Sequence, residues 1–161
     1  MNSVLFVCTA NICRSPMAMG LLSSIVEVPQ EWKIESAGVR ARFGFLAHGY
    51  VVSLLNEKGV NISKHISRPI TEDLLDEFNL TLVMEVGQKE GIKTAFPTMS
   101  HKVFLLSEMI GQRFDIVDPI GGNLVDFQQT AKEIENILNA GYEKICELAK
   151  PPSQSPSTRS G

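Results

Sequence analysis

Short apolar runs and stretches of helical periodicity alternate along this chain. The first run, Ser3 to Cys8, is apolar at successive rather than alternate positions, the pattern of a strand covered on both faces in a parallel sheet. After a short polar turn, Pro16 to Ile25 reads as a helix, with Pro16 in the first turn where its missing N–H is tolerated. Lys33 to Ala37 is a second strand, ended by Gly38. A helix is expected from about Ala47 to Lys58, because Ala47, Val51, Leu54 and Leu55 share one face and Gly59 suits a cap. Thr71 caps another short helix that carries Glu72 and Asp73 in its first turn. Leu80 to Met84 and Lys102 to Leu106 are the third and fourth strands. Leu124, Phe127, Ala131, Ile134, Leu138, Ile145 and Leu148 repeat at helical spacing and predict one long amphipathic helix, with Asn139 to Gly141 as the place where it frays or kinks.

Strands alternating with helices imply an α/β fold whose parallel strands are joined by right-handed crossovers. In such sheets ligands bind at the carboxyl ends of strands, so the loop after the first strand is where chemistry is expected. The 161 residues, 43% of them apolar, suit one domain over residues 1–150. Residues 151–161, rich in Pro and Ser, are expected to be disordered. A net charge of −3 argues against non-specific nucleic-acid or membrane-surface binding. No apolar run approaches the roughly 20 residues of a spanning helix, and the N-terminus lacks the basic region of a signal peptide. Three cysteines make no disulfide framework, so a cytoplasmic, reducing location is expected.

The loop reads Cys8-Thr9-Ala10-Asn11-Ile12-Cys13-Arg14-Ser15, with five residues between Cys8 and Arg14. Backbone N–H groups of a curled loop can converge on an anion, and the following helix N-terminus adds further donors. Arg14 offers a planar fork matched to two phosphate oxygens. A sulfur at the loop's start sits in the same positive field, which favours the thiolate. Taken singly, a cysteine at a strand end or an arginine starting a helix is more often structural; at this spacing, between strand and helix, they point to catalysis. A nucleotide-binding loop needs a GxxxxGK[ST] run, which is absent. Cys13 either packs or forms a reversible disulfide with Cys8. Cys146 is expected in the core. No His/Cys cluster completes a zinc site with Cys8 and Cys13.

The run Val7-Cys8-Thr9-Ala10-Asn11-Ile12-Cys13-Arg14-Ser15-Pro16 resembles the signature of low-molecular-weight protein tyrosine phosphatases. So do Ser36-Ala37-Gly38, the G-x-x-x-x-x-H-x-x-R stretch from Gly59 through His65 to Arg68, and Asp118-Pro119. The resemblance extends to about residue 149. It implies a single-domain, four-stranded parallel sheet in the order 2-1-3-4 with helices on both faces, and a phosphotyrosine phosphatase working without metal or other cofactor. In that scheme Cys8 is the nucleophile, Arg14 the phosphate clamp and Asp118 the general acid. Asn11, Ser15, Ser36 and His65 hold the loop, and Ser15 also stabilises the Cys8 thiolate. Asp115 and Asp126 are the alternatives for the acid that the residues themselves leave open. The stretch from Val39 to His48 is similar to bacterial members linked to polysaccharide assembly, which implies a phosphotyrosine protein such as a tyrosine autokinase as partner.

Two positions depart from the family pattern. Ala10 stands where Gly is usual, at a cost of about 1 kcal/mol if that backbone needs positive φ. Ile120 stands where an aromatic residue is common, leaving the pocket's aromatic wall missing or supplied by Phe43 or Phe45. Competing readings are an arsenate reductase, disfavoured because Asn79 to Ile92 holds no cysteine, and an inactive phosphotyrosine-binding module, disfavoured by the retention of Cys8, Arg14 and Asp118. A third is a protein-arginine phosphatase, whose members carry Thr at the place of Ile12; the branched apolar side chain here favours tyrosine.

Overall fold

In the computed structural model, which describes residues 1–153, the first apolar run is the strand β1, Asn2–Cys8. Val4, Leu5, Phe6 and Val7 are all fully buried, because successive side chains leave a strand on opposite faces and here both faces are covered. Val4, Phe6 and Cys8 enter one core cluster; Leu5 and Val7 enter another. Burying a side chain of this kind contributes about 1.5–3 kcal/mol, so β1 anchors both layers. Flanking it are β2, Trp32–Gly38, and β3, Leu80–Val83, with β4, Val103–Leu105, beyond β3. All pairings are parallel and the order is 2-1-3-4, as the resemblance implied.

One face of the sheet carries α1 (Arg14–Ile25), α2 (Gly49–Glu57), α5 (Leu124–Ala140) and α6 (Tyr142–Ala149), which supply Met17, Val51, Ile134 and Ile145 to the core. On the other lie α3 (Glu72–Glu77) and α4 (Val86–Ala95), which supply Leu75 and Ile92. Thr71 caps α3 as expected, its hydroxyl accepting from Leu74 N at 3.0 Å. Among the described residues no helix is long and apolar enough to cross a membrane.

The structure differs from the sequence expectation in three places. The long C-terminal helix is two helices, broken at Gly141, where a Cβ would stand 2.8 Å from both the backbone oxygen and the Cβ of Met109; only glycine allows that approach. The helix α4 has few apolar positions and two glycines, and so carries no clear period. It is held at its start by Asp115, whose Oδ1 accepts from Val86 N at 2.8 Å. Cys146 is half-buried on α6 rather than in the core. Of the C-terminal tail, residues 154–161 lie outside the described residues.

Candidate active site

Cys8 ends β1 and Arg14 opens α1, so the intervening loop has to turn from a buried strand into a helix. It does so with its carbonyls pointing outward. Cys8 O accepts from Val39 N, Thr9 O from Arg40 N, Ile12 O from His48 N and Cys13 O from Met17 N, each at 2.9–3.0 Å. By contrast, the N–H groups of Thr9 through Cys13 have no acceptor among the described residues. A run of unpaired N–H donors in a tight loop can cradle an anion. Gly38 makes room for this loop: a Cβ there would lie 2.5 Å from Thr9 O.

The left-handed position of the loop is Asn11, at φ 61°, not Ala10, so the penalty anticipated at Ala10 does not arise. Asparagine tolerates that conformation. The Asn11 side chain is fully buried and ties three segments together. Its Nδ2 donates to Ser15 Oγ at 2.8 Å and to Ser36 Oγ at 3.0 Å, and its Oδ1 accepts from Arg68 N at 3.1 Å. His65 Nε2 lies 2.8 Å from Asn11 O, which requires the proton on Nε2, since a carbonyl can only accept. Burial holds the His65 pKa below its ordinary value, opposed by the bond to Asn11 O, so at neutral pH the ring is uncharged. The supporting residues drawn from the family resemblance therefore meet in one network. Asn11→Ala strands these partners and places a Cβ-bearing residue without a local side-chain bond at positive φ. It is expected to destabilise the fold by about 3 kcal/mol, with Asn11→Gly about 1 kcal/mol less severe, read by urea unfolding; equal costs would show that no backbone strain is involved.

Arg14 is 1% exposed and its guanidinium is held on one edge. Nη1 donates to Ile116 O and to Glu85 Oε2, both at 2.6 Å. That leaves Nε and Nη2 as the free fork. Asp118 Oδ2 lies 3.6 Å from Nη2, and its Oδ1 accepts from Ile120 N at 3.0 Å. Asp118 lines the recess over Cys8 together with Ala10, Ile12, Cys13, Arg14 and Ile120. The other candidate acids have structural duties: Asp115 caps α4, and Asp126 Oδ2 accepts from Asn123 N at 2.9 Å at the start of α5. Phe43 and Phe45 are 77% and 55% exposed and do not line the recess; its apolar wall is Ile12 and Ile120.

Cys8 Sγ and Ser15 Oγ are 3.0 Å apart. Cys13 lines the same recess, but burial, with Asp118 and Cys8 adding to it, pushes its thiol up to about 12. Cys13 is thus a neutral thiol at physiological pH and no rival nucleophile. Glu85 and Gln88 escaped the sequence reading. Gln88 Nε2 donates to Thr9 Oγ1 at 3.1 Å and its Oε1 accepts from Met84 N and Glu85 N at 3.0 Å, bracing the loop from α4. Arg68, which stood in a quoted motif without a role, reaches Ser36 O at 3.1 Å and Glu35 at 2.5 Å. The signal available for Glu85 was its place at the carboxyl end of β3, where site residues of such sheets gather.

A thiol at the foot of an amide cradle, faced by a buried guanidinium and a carboxylate, defines a cysteine-dependent phosphatase site on a doubly wound α/β domain. The family described as low molecular weight phosphotyrosine protein phosphatase matches residues 3–149, and the chain belongs to that family. Its relatives include the protein-arginine-phosphatase of Bacillus subtilis, 39% identical over 84% of this chain and 91% of that protein. Another is the low molecular weight protein-tyrosine-phosphatase Ptp of Acinetobacter johnsonii, 33% identical over 85% and 93%. The crystal structure of the low molecular weight protein tyrosine phosphatase from T. tengcongensis superposes with a TM-score of 0.84 at 34% identity, covering 89% of this chain and 99% of that one.

Proposed function

We propose that the chain hydrolyses phosphotyrosine in proteins through a cysteinyl-phosphate on Cys8, and the observation that carries this is the row of unpaired loop N–H groups between Cys8 and Arg14. The phosphate dianion binds in that cradle, with Arg14 Nε and Nη2 on two of its oxygens. Cys8 Sγ attacks phosphorus in line as the P–O bond to the tyrosine breaks. Asp118 gives its proton to the departing phenolate oxygen. Asp118, now ionised, takes a proton from water as that water attacks phosphorus. The S–P bond breaks, releasing phosphate and the Cys8 thiolate, which Ser15 Oγ stabilises by donating its hydrogen bond. The transition-state charge lies on the equatorial oxygens, where fixed donors stabilise it most.

Ile12 favours an aromatic leaving group, because it lines the recess with an apolar surface where relatives of the arginine type carry a hydroxyl. The natural substrate is a phosphotyrosine protein; similarity of residues 39–48 to bacterial polysaccharide-associated members supports a tyrosine autokinase, in the cytoplasm. Cys13, beside Cys8, guards it. Peroxide oxidation of Cys8 to the sulfenic acid is followed by condensation with the neutral Cys13 thiol, whose proton leaves with the sulfenic hydroxyl as water as the disulfide forms. The expected result with purified protein is turnover of p-nitrophenyl phosphate without added metal, competitive inhibition by phosphate or vanadate, and preference for a phosphotyrosine peptide over a phosphoarginine peptide. A reversed preference would move the substrate assignment to arginine.

A further inference from the structure

The recess over Cys8 is narrow, about 10 Å³, but a groove of about 540 Å³ opens against the same loop at Thr9. Thr9 and Glu85 line it, and Ile70, Ile92 and Phe96 supply apolar wall. A volume of this size is in the range that holds ligands or side chains. The groove adjoins the catalytic site: its Thr9 follows Cys8 in the loop, and its Glu85 pairs with Arg14 at 2.6 Å. Its charges are unequal in what they offer. Glu85 is committed to Arg14, whereas Arg40, which also lines the groove, is exposed and has no ion-pair partner among the described residues. Along α4 the lining includes Gly87 and Gly91, where a Cβ would meet nothing within 4 Å.

We propose that this groove is a specificity subsite for the phosphoprotein, taking an apolar side chain close to the phosphotyrosine while Arg40 reads a neighbouring carboxylate. The proposal rests on the phosphatase reading above and names the kind of sequence that reading leaves open. An apolar body fits the Ile70–Ile92–Phe96 wall, and the free cation selects an acidic neighbour over a basic one, the charge complementarity that gives interfaces their preference. The occupant belongs to the substrate rather than to a free metabolite because the groove begins one residue from the nucleophile.

The structure also supplies the test. Gly91→Leu puts an apolar side chain into the groove from a helix that gains by losing a glycine, at a position where a Cβ meets nothing within 4 Å. It is expected to leave kcat/KM for p-nitrophenyl phosphate unchanged and to lower kcat/KM about tenfold for a phosphotyrosine peptide flanked by Leu and Glu. Arg40→Glu is expected to reverse the preference between that peptide and its Lys-flanked counterpart by about tenfold, again without effect on p-nitrophenyl phosphate. Peptide constants that stay at wild-type values in both variants would sink the subsite alone. Failure of the wild-type protein to turn over p-nitrophenyl phosphate would take down the phosphatase reading and the subsite with it.

Discussion

Replacing Arg14 with lysine is expected to lower kcat for aryl phosphates about a thousandfold or more while leaving the chain folded. The charge is kept but the fork is lost, and an ammonium presents no planar pair of N–H bonds to the equatorial oxygens. The geometry makes this site unforgiving. The guanidinium is buried, and one edge is fixed by Ile116 O and Glu85, so that the other edge faces the cradle. A lysine ammonium drawn to Glu85 is no longer free for the phosphate. Steady-state kinetics with p-nitrophenyl phosphate, alongside a thermal melt, give the answer. A mere KM effect with kcat retained would show that Arg14 only binds and does not stabilise the transition state.

Asp118→Asn is expected to reduce turnover about a hundredfold to ten-thousandfold, the range for loss of a general acid, and to do so unevenly. With a phenyl phosphate the poor leaving group needs the proton, so formation of the intermediate slows. With p-nitrophenyl phosphate the leaving group departs unaided, and only breakdown, which needs a base, is impaired. The dependence of rate on leaving-group basicity should therefore steepen in the variant. An unchanged rate with the most basic leaving group would remove Asp118 from this role. Asp115 and Asp126 would not inherit it without giving up their caps on α4 and α5.

Much of this architecture could be read from residue order. The continuous apolar run of β1 announces a strand covered on both faces, and a cysteine at its end with an arginine six positions on points to the candidate site. What could not be read depends on contacts distant in sequence. The residue at positive φ is Asn11 rather than Ala10, because Asn11 side-chain bonds to Ser15, Ser36 and Arg68 N over-determine that conformation. Glu85 acts on a residue far upstream; its place at the carboxyl end of β3 marks the region, but not the partner. The break at Gly141 falls where Asn139 to Gly141 marked a kink, but its cause, the approach to Met109, is a contact that periodicity cannot show. The helix α4 lacks a strong apolar period because its outward-facing glycines line the groove rather than the core.

The claim on which the rest depends is that phosphate passes through Cys8. It is tested most directly by mixing Asp118→Asn protein with p-nitrophenyl phosphate, quenching within the first turnover and locating the covalent phosphate by peptide mass spectrometry. The account predicts a burst of nitrophenolate stoichiometric with enzyme and a phosphoryl group on Cys8, absent from the Cys8→Ser control. Release of nitrophenolate with no phosphorylated peptide, or with the phosphate on another residue, would contradict it.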